Sequence, residues 1–465
     1  MAKYDVAIIG SGPGGYVAAI RAGELGLKTV VVEKDPFLGG TCLHVGCIPT
    51  KVLLHHADVY DHFKNGAELG FEVSGLKINW ANILARKSKI VTKHAKGIEF
   101  LFKKNKVEWM QGWGKYDGTG RVAVEKDGKR SIIEARGILM VSGSEAKSLP
   151  GIEPDHKQIL TNRSIIELPE IPKTLIVIGA GAVGVEFASI YNSFGTQVTI
   201  LEALPRVVPV EDEEISAELE KTYKKKGINV QTGCSVESVK KDAKGVTVSF
   251  KDKDGKAQTL QGEKLLLAVG RRPMTENCGL ENTKAKLERG FVHVNQYMET
   301  DEPGLYAVGD IVAGLPQLAH AAMMEGIVAV THIAGKETQP ILKTRIPNAT
   351  YCEPQIGSIG LTEKQARDAG YKVKTGKFPF VGNSKATILG NHGGFIKVVS
   401  DETHGEVLGI HIIGPYATEI LSEATTVLQL EGTIDDMMHM MHAHPTVWEG
   451  MGDAFASVRG LQINV

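Results

Sequence analysis

The 465-residue sequence lacks several features that define large classes of protein. It contains only five cysteines, which is too few for the disulfide framework of a secreted protein of this length. It has no run of about 18 apolar residues that could form a membrane-spanning helix. Its formal net charge is −1, so no basic excess indicates binding to nucleic acid or to an anionic membrane. These absences favour an ordinary globular protein.

Composition and length indicate several domains with large hydrophobic cores. Hydrophobic residues make up 42% of the chain and charged residues 23%, which is typical of globular proteins. At about 100–200 residues per domain, the chain is expected to contain three or four domains. The sequence enters an apolar strand within MAKYDVAIIG, which leaves no room for a secretion signal. We therefore expect a cytoplasmic protein.

Two cysteines form a local pair in the segment GGTCLHVGCIPTK, at positions 39 to 51. Cys42 and Cys47 are close in sequence, whereas the other three cysteines are scattered and are expected to be small buried side chains. A local pair in a reducing compartment is usually catalytic, redox-sensing or metal-binding. Zinc requires further cysteine or histidine ligands at comparable spacing, and none follows convincingly. Spacing alone leaves a structural staple, a metal site and a redox catalyst as alternatives.

A dinucleotide-binding pattern opens the chain, in the segment YDVAIIGSGPGGYVAAIRAGELGLKTVVVEK. An apolar strand is followed by Gly10, Gly12 and Gly15, spaced as Gly-x-Gly-x-x-Gly. A helical stretch and a second strand come next, and the second strand ends in Glu33. In this pattern the glycines allow a tight turn, close approach of a pyrophosphate and packing of the helix on the strand. The helix N-terminus then binds the diphosphate, and Glu33 accepts hydrogen bonds from a ribose.

The same pattern recurs in TLIVIGAGAVGVEFASIYNSFGTQVTILE, with Gly179, Gly181 and Gly184 in the turn and Glu202 at the end of the second strand. Two dinucleotide sites in one chain indicate that electrons pass between two cofactors. An acid at this position favours a free ribose 2′-hydroxyl, since a 2′-phosphate requires arginine there. Arg206 alone does not make a phosphate site, so the second site is predicted to bind NAD(H) and not NADP(H).

Two further segments contain candidate functional residues. In DEPGLYAVGD, a short strand ends at Gly309 and Asp310; beside two dinucleotide units, Asp310 is interpreted as reaching a cofactor hydroxyl. In MMHMMHAHPTVWEG, His444 precedes a proline and is therefore disfavoured in a helix. Glu449, five residues on, can bond one imidazole nitrogen and leave the other as a base. From the residues alone, however, ordinary surface or core histidines, or a weak metal site, are the preferred interpretation of this segment.

Lys51 lies four positions after Cys47, so the two share one face of a helix that begins near Cys47. The ammonium group and the helix N-terminus both favour a thiolate.

Over essentially its full length the chain resembles the pyridine nucleotide–disulfide oxidoreductases of the glutathione reductase type. The segments that carry the resemblance are GSGPGG at 10–15, GGTCLHVGCIPTK at 39–51, GAGAVGVEF at 179–187, GRRP at 270–273, YAVGD at 306–310 and HAHPTVWE at 442–449. Within this family the match is closest to the enzymes that oxidise protein-bound dihydrolipoamide to lipoamide with reduction of NAD. The resemblance implies an α/β protein with two Rossmann-like dinucleotide-binding domains, for FAD and NAD, and a C-terminal α+β dimerisation domain.

The resemblance also implies the cofactor sites residue by residue. For FAD it implies Gly10, Gly12, Gly14, Gly15, Glu33, Thr41, Gly114, Ser142, Gly143, Asp310 and Ala319. For NAD it implies Gly179, Gly181, Gly184, Glu202, Val236 and Gly270. It implies an ion pair of Lys51 and Glu186 beside the flavin ring, and no metal.

The implied reaction begins when His444, oriented by Glu449, deprotonates dihydrolipoamide. The substrate thiolate attacks Cys42, and Cys47 passes the electrons to FAD. The resemblance further implies a homodimer in which each active site takes His444 from the partner subunit. Lipoyl domains of 2-oxo acid dehydrogenase or glycine cleavage complexes are the implied partners.

Five residues differ from those usual in the family. They are His44, Thr50, Ser142, Met274 and Trp448. Trp448 is the departure expected to affect substrate access most, because an indole beside the base would narrow the entrance. Two alternative functions are an NADH-dependent reductase of another small disulfide and a non-catalytic flavoprotein subunit of a dehydrogenase complex.

The expected domain boundaries follow the same resemblance. Residues 1–145 and 270–340 are predicted to form the FAD-binding domain, and residues 146–269 the NAD-binding domain. Residues 341–465 are predicted to form the dimerisation domain.

Overall fold

The structure, a computed structural model, describes residues 2–464. The strands are β1 Ala2–Ile9, β2 Thr29–Glu33, β3 Glu108–Gln111, β4 Trp113–Tyr116, β5 Arg121–Lys126, β6 Lys129–Met140, β7 Ser144–Ala146, β8 Ile159–Leu160, β9 Thr174–Ile178, β10 Gln197–Leu201, β11 Asn229–Gln231, β12 Ser235–Asp242, β13 Gly245–Lys251, β14 Ala257–Gly262, β15 Lys264–Leu267, β16 Arg271–Pro273, β17 Leu287–Glu288, β18 Phe291–Val292, β19 Leu305–Ala307, β20 Asn348–Thr350, β21 Gln355–Gly360, β22 Val373–Pro379, β23 Phe395–Asp401 and β24 Val407–Gly414. The α-helices are α1 Pro13–Glu24, α2 Gly40–Val45, α3 Cys47–Lys64, α4 Trp80–Lys104, α5 Asn162–Ile165, α6 Ala182–Ser193, α7 Glu213–Lys225, α8 Ala319–Ile333, α9 Glu363–Asp368, α10 Ser384–Ile388, α11 Ala417–Gln429, α12 Ile434–Met438 and α13 Glu449–Val458.

The described chain divides into two units. Unit 1 contains the residues up to Val52 together with Ala81–Lys147 and Arg271–Lys343. Unit 2 contains Leu53–Trp80, Ser148–Gly270 and the residues from Thr344 onward. The chain leaves unit 1 through β7 and returns to it through β16, and these two strands pair antiparallel. Each unit is therefore built from discontinuous stretches of the sequence.

Unit 1 is organised around a sheet with the strand order β3-β2-β1-β6-β5-β4, in which β19 also pairs with β6. Strands β3, β2, β1, β6 and β19 are parallel, as expected for apolar strands covered on both faces. Helices α1 and α8 pack on each other, and buried aliphatic side chains fill both faces of the sheet. The carboxyl ends of β1, β2, β6 and β19 meet at one edge, where ligands bind in folds of this type.

Unit 2 contains a second parallel sheet with the order β11-β10-β9-β15-β8. The antiparallel strands β12, β13 and β14 form a separate three-stranded sheet within this unit. Helix α6 connects β9 to β10 and is buried along most of its length. This arrangement repeats the strand, glycine turn, helix and strand of unit 1.

The C-terminal part of unit 2 is an antiparallel sheet with the order β20-β21-β24-β23-β22. Helix α11 packs on β21 and β24, and α13 packs on β22 and β23. Their contacts enclose a continuous apolar core that includes Phe378, Phe380 and Phe455. The α/β class, with two dinucleotide-binding folds and a C-terminal α+β region, is confirmed.

Among residues 2–464, no helix combines the length and the hydropathy needed to cross a lipid bilayer. The domain boundaries expected from the sequence stay a prediction, since the division into two units follows contacts within the chain and not ligand binding.

Candidate active site

The first glycine turn joins β1 to α1 in unit 1. Gly10 has a φ of +106°, and a Cβ there would collide with the Val141 carbonyl oxygen. A Cβ at Gly15 would collide with the Gly10 carbonyl oxygen, whereas a Cβ at Gly12 would meet open space. Gly114, in β4, packs against side chains of β1 and β2 beneath the turn. The turn therefore leaves room for a phosphate group at the N-terminus of α1.

Glu33, the last residue of β2, is buried with its carboxylate directed at this turn. Its Oε2 accepts hydrogen bonds from the Ser11 N–H at 2.9 Å and the Ser11 hydroxyl at 2.6 Å. Its Oε1 accepts a hydrogen bond from the Asp35 N–H at 2.9 Å. These bonds fix a carboxylate beside the turn, where an acceptor for ribose hydroxyls is required.

Helix α8 crosses α1 at a pair of glycines. A Cβ at Gly326 would lie 2.6 Å from the Gly14 carbonyl oxygen, and a Cβ at Gly14 would lie 3.1 Å from the Ala322 carbonyl oxygen of α8. Ala319 is the first residue of α8 and is half-buried. Leu318 occupies the N-cap position and has no side-chain acceptor for the first N–H groups of the helix. The N-terminus of α8 can therefore present positive partial charge to a ligand.

Several predicted cofactor residues follow the carboxyl ends of neighbouring parallel strands. Ser142 and Gly143 follow β6, and Asp310 follows β19, which pairs with β6. The Ser144 hydroxyl donates a hydrogen bond to Asp310. Arg271 Nε lies 3.8 Å from the same carboxylate. The structure thus brings these predicted residues together at one sheet edge.

Two buried oxygen atoms at this edge have no nitrogen or oxygen partner among the described residues. One is Ser142 Oγ, beside the Cys278 thiol. The other is Glu325 Oε1, whereas Glu325 Oε2 accepts a hydrogen bond from the Gly309 N–H at 2.6 Å. Burial raises the pKa of Glu325 to about 7, against the lowering effect of Gly309. Unsatisfied buried polar atoms beside an open glycine turn fit a bound dinucleotide such as FAD.

The cysteine segment contacts the same glycine turn. The Gly39 N–H donates a hydrogen bond to the Ser11 carbonyl oxygen at 3.1 Å. His44, one of the unusual residues, has its Nε2 2.8 Å from the Leu38 carbonyl oxygen. The His44 side chain is therefore held against the backbone of its own segment.

Cys42 lies in α2, next to Thr41, and Cys47 is the first residue of α3, as the predicted helix start requires. Both are thiols in this structure, and they are within hydrogen-bonding reach of each other. The hydrogen bond to Cys47 and burial raise the pKa of the Cys42 thiol, whereas the charge of Lys51 lowers it. Tyr16 of α1 is a neighbour of both sulfurs; burial raises its pKa and the two cysteines raise it further. A coupled thiol pair with a nearby ammonium group can exchange disulfides.

The second glycine turn, in unit 2, repeats the geometry of the first. Gly179 has a φ of +101°, and a Cβ at Gly184 would collide with the Gly179 carbonyl oxygen. A Cβ at Gly181 would meet open space. Glu202 Oε2 accepts a hydrogen bond from the Ala180 N–H at 2.5 Å. Glu202 Oε1 accepts a hydrogen bond from the Leu204 N–H at 2.8 Å. This turn fits a second dinucleotide, with an acid in place of a phosphate-binding arginine.

Two further residues, Val236 and Gly270, are predicted to contact NAD. The Cys234 N–H donates a hydrogen bond to the Glu202 carbonyl oxygen at 2.8 Å, and Val236, in β12, is two residues further along the chain. Gly270, shortly after β15, has a φ of +98° and open space around a Cβ.

Glu186 lies buried in α6 of unit 2. The Tyr351 N–H donates a hydrogen bond to its Oε1 at 2.9 Å, which fixes the carboxylate. Lys51, its predicted partner, belongs to unit 1. The ion pair of these two residues stays a prediction.

His444 lies in the irregular segment between α12 and α13. Its Nδ1 is 2.9 Å from Glu449 Oε1, which is the hydrogen bond predicted from the sequence. Glu449 Oε2 accepts a hydrogen bond from the Thr446 N–H at 2.8 Å. Burial raises the pKa of Glu449, but Thr446, His444 and His442 together lower it below its ordinary value. A carboxylate on Nδ1 holds the proton there and leaves Nε2 as the basic nitrogen.

Trp448 is the N-cap residue of α13 and packs against the apolar core of the C-terminal sheet. Its ring stacks on Tyr416, with 6.5 Å between ring centroids and 26° between planes. The indole is therefore anchored by packing next to Glu449.

Four functional candidates were missed by the sequence analysis. They are Tyr16 beside the cysteines, Glu325 beside Gly309, Tyr351 on Glu186, and His442, which pairs with Glu423. Tyr16 had a signal, because it directly follows the third glycine of the first turn. Glu325 and Tyr351 had no signal, and His442 lies in the quoted HAHPTVWE segment, but nothing in the sequence connects it with Glu423.

Comparison with known families identifies the class of protein. The family model described as pyridine nucleotide-disulphide oxidoreductase matches residues 4–326, and the model of that family's dimerisation domain matches residues 346–455. The chain belongs to the pyridine nucleotide-disulphide oxidoreductase family. It is a flavoprotein disulfide oxidoreductase, and its cofactors are FAD and NAD(H).

Within this family the relatives are more specific. The chain is 40% identical over 473 residues to a dihydrolipoyl dehydrogenase from Bacillus subtilis, with 99% of each chain covered. It is 41% identical over 480 residues to a dihydrolipoyl dehydrogenase from Rhizobium etli, again with 99% of each covered. The crystal structure of LpdA from Mycobacterium tuberculosis superposes with a TM-score of 0.89 at 27% identity, covering 98% of this chain and 99% of that one. The resemblance to dihydrolipoyl dehydrogenases is confirmed.

Proposed function

We propose that this enzyme oxidises protein-bound dihydrolipoamide to lipoamide and reduces NAD to NADH. The observation that carries the proposal is the thiol pair of Cys42 in α2 and Cys47 at the start of α3, whose segment is hydrogen-bonded to the first glycine turn. In its disulfide form this cysteine pair can oxidise a dithiol without any other reactant, because the substrate dithiol becomes a disulfide as the Cys42–Cys47 disulfide becomes two thiols.

The residues have separate roles in this proposal. His444, with its proton-bearing Nδ1 on Glu449, removes a proton from one substrate thiol through Nε2. The resulting thiolate attacks Cys42, the Cys42–Cys47 disulfide breaks, and Cys47 leaves as a thiolate. The second substrate thiol then attacks the mixed disulfide at the substrate sulfur, which releases lipoamide and the Cys42 thiol.

The first glycine turn would hold FAD and the second would hold NAD; when bound, the flavin would supply the two-electron redox chemistry between the cysteine pair and the nicotinamide. Cys47 at the N-terminus of α3 is placed to be held as a thiolate, with Lys51 one turn along the helix. Glu202 accepts hydrogen bonds from the NAD ribose and disfavours a 2′-phosphate. Lys51 and Glu186 are proposed as an ion pair beside the flavin ring.

The proposed assembly is a homodimer, which the dimerisation-domain match supports. We propose that His444 and Glu449 serve the active site of the partner subunit, and that lipoyl domains of 2-oxo acid dehydrogenase or glycine cleavage complexes deliver the substrate. The domain allocation expected from the sequence, with 1–145 and 270–340 for FAD, 146–269 for NAD and 341–465 for dimerisation, is part of this proposal. A cytoplasmic location stays a prediction.

The test is the rate of NAD reduction by the purified, FAD-containing protein with dihydrolipoamide. NADP serves as the alternative acceptor, and glutathione disulfide with NADH or NADPH as the alternative substrate. We expect rapid NAD reduction by dihydrolipoamide alone. A protein whose flavin is reduced by NADH but which does not turn over dihydrolipoamide would act on another disulfide.

His444→Gln separates the proposed base from the rest of the machinery. The substitution should lower the dihydrolipoamide rate about 10²–10⁴-fold, which is the usual contribution of a general base. Reduction of the bound flavin by NADH should be unchanged, because that step needs no proton from the dithiol. A small effect on the dihydrolipoamide rate would mean that another group accepts the proton.

A further inference from the structure

A second histidine–glutamate pair lies beside the first. His442 Nε2 is 3.0 Å from Glu423 Oε1, and the two side chains are only 10% and 14% exposed. The side chain of His444, by contrast, is 72% exposed. The buried pair is therefore built into the protein, whereas the exposed histidine is available for chemistry.

Three segments connect the buried His442–Glu423 pair with the exposed His444–Glu449 pair. Glu423 lies on α11, and His442 lies in the segment that leads to His444. Glu449 and Gly452 lie three residues apart on α13, and therefore on one face of that helix. A Cβ at Gly452 would lie 3.3 Å from His442 Nδ1. The imidazole of His442 thus packs against the first turn of α13, on the face that carries Glu449.

The charges of these groups are coupled. The hydrogen bond to Glu423 raises the pKa of His442, burial lowers it, and Glu449 and the Met440 backbone raise it further, so that the pKa lies above its ordinary value. The positive charge of His442 in turn contributes to the lowered pKa of Glu449. The charged groups that face His442 are Glu423 from α11 and Glu449 from α13.

We infer that His442, held in place by Glu423, is a positioning residue that fixes the Glu449 carboxylate and thereby the orientation of His444. The inference rests on the proposed function, because it assigns His442 to the support of the base used for dihydrolipoamide. His442 does not touch the substrate in this scheme. It acts through Glu449, which contacts His444 directly.

A purely structural alternative is that His442 only joins α11 to α13. In that case its loss would lower the stability of the protein and would reduce every activity in proportion. A positioning role instead affects the step that needs the base. The two interpretations therefore differ in which reaction slows.

The experiment uses the full-length holoenzyme with His442→Gln and Glu423→Gln. His439→Gln is the matched control, since His439 is an exposed histidine of the same segment at the end of α12. Three quantities are measured: kcat/KM for dihydrolipoamide as a function of pH, oxidation of NADH by ferricyanide, and the midpoint of thermal unfolding. Ferricyanide accepts electrons without a dithiol and so does not need His444.

Both test variants should lower kcat/KM for dihydrolipoamide about 10–100-fold, which is typical for outer partners of a catalytic group. The double variant should be little worse than either single one, because the two residues act as a unit. In His442→Gln the fall of kcat/KM on the acid side should move to higher pH, since Glu449 without a neighbouring cation takes up a proton more readily. Ferricyanide reduction, and every property of His439→Gln, should match the wild type.

The outcomes separate the inference from the proposed function. If the wild type does not oxidise dihydrolipoamide, the proposed function fails. If the wild type is active and His442→Gln keeps its rate and pH profile, the inference is wrong. It is also wrong if dihydrolipoamide and ferricyanide rates fall together with the thermal midpoint. Should His442→Gln not fold, Gly452→Ala displaces the ring by only a few tenths of an ångström and is expected to show the same selective loss to a smaller degree.

Discussion

Replacing Lys397 tests how the two parts of unit 2 are held together. Lys397 lies in β23, is 3% exposed, and its Nζ is 3.0 Å from Asp212, 2.7 Å from Glu214 and 2.8 Å from Glu363. Asp212 caps the N-terminus of α7, in the dinucleotide-binding fold, and Glu363 begins α9. Lys397→Met removes the ammonium group that pairs with Asp212 and keeps the aliphatic volume.

The expected cost follows from burial. Asp212 is 3% exposed, whereas Glu214 and Glu363 are 42% and 29% exposed and can be hydrated once the lysine is gone. Removing one partner of a buried ion pair typically costs about 3–5 kcal/mol, because it leaves an uncompensated charge. At roughly 2 °C per kcal/mol for a unit of this size, Lys397→Met should lower the midpoint of thermal unfolding by about 6–10 °C.

Thermal unfolding of the holoenzyme at fixed protein concentration measures this effect. The control is Lys377→Met, because Lys377 is 48% exposed and its ion pair is with the half-exposed Glu214; the substitution should cost about 0–1 kcal/mol. Adding Asp212→Asn to Lys397→Met should recover part of the loss, since the buried charge is then absent. A shift no larger than that of Lys377→Met would refute the reasoning.

The pH dependence of this effect has a definite sign. The charge of Lys397 lowers the pKa of Glu363, and His411 and Lys397 lower that of Asp212 against the opposing effect of burial. A carboxylate with a lowered pKa contributes stability that is complete above its unfolded pKa and is lost as pH falls through its folded pKa. The difference between the wild type and Lys397→Met should therefore be full near neutral pH and shrink below about pH 4.

Two substitutions test the cofactor and disulfide assignments. Cys42→Ser should abolish dihydrolipoamide turnover and leave NADH oxidation by ferricyanide intact, as measured by parallel steady-state assays; surviving dithiol turnover would remove Cys42 from the exchange step. Glu202→Arg should lower kcat/KM for NAD about 10–100-fold, which is the equivalent of losing a charged hydrogen bond. The ratio of kcat/KM for NADP to kcat/KM for NAD should rise. An unchanged preference would remove the argument from the 2′-hydroxyl.

Local patterns predicted much of the fold. Each glycine turn has its helix and strands where the spacing placed them, and α3 begins at Cys47 itself. The pairing of β19 with β6 had no local signal, because the two strands are far apart in sequence. The order of the C-terminal strands was not predicted either, since β23 and β24 are buried along their whole length and show no alternation of buried and exposed positions that would fix their register.

The site shows the same division between local and distant contacts. His444 and Glu449 lie within one segment, so their hydrogen bond could be derived from spacing and a proline. The bond from Tyr351 to Glu186 joins residues 165 positions apart, and no pattern in either segment indicates the other. Partners of this kind are set by how separate segments pack, which the sequence pattern does not contain.

The two chemical tasks of the proposed reaction can be perturbed separately because they lie in separate parts of the chain. Sulfur exchange depends on Cys42 and Cys47 in unit 1, whereas proton removal depends on His444 in unit 2. A defect in His444 or in the His442–Glu423 pair should therefore slow dithiol oxidation and spare electron transfer from NADH to ferricyanide. A defect in the first glycine turn should impair both, since both need the flavin. The ratio of the two rates thus identifies which part of the machinery a substitution affects.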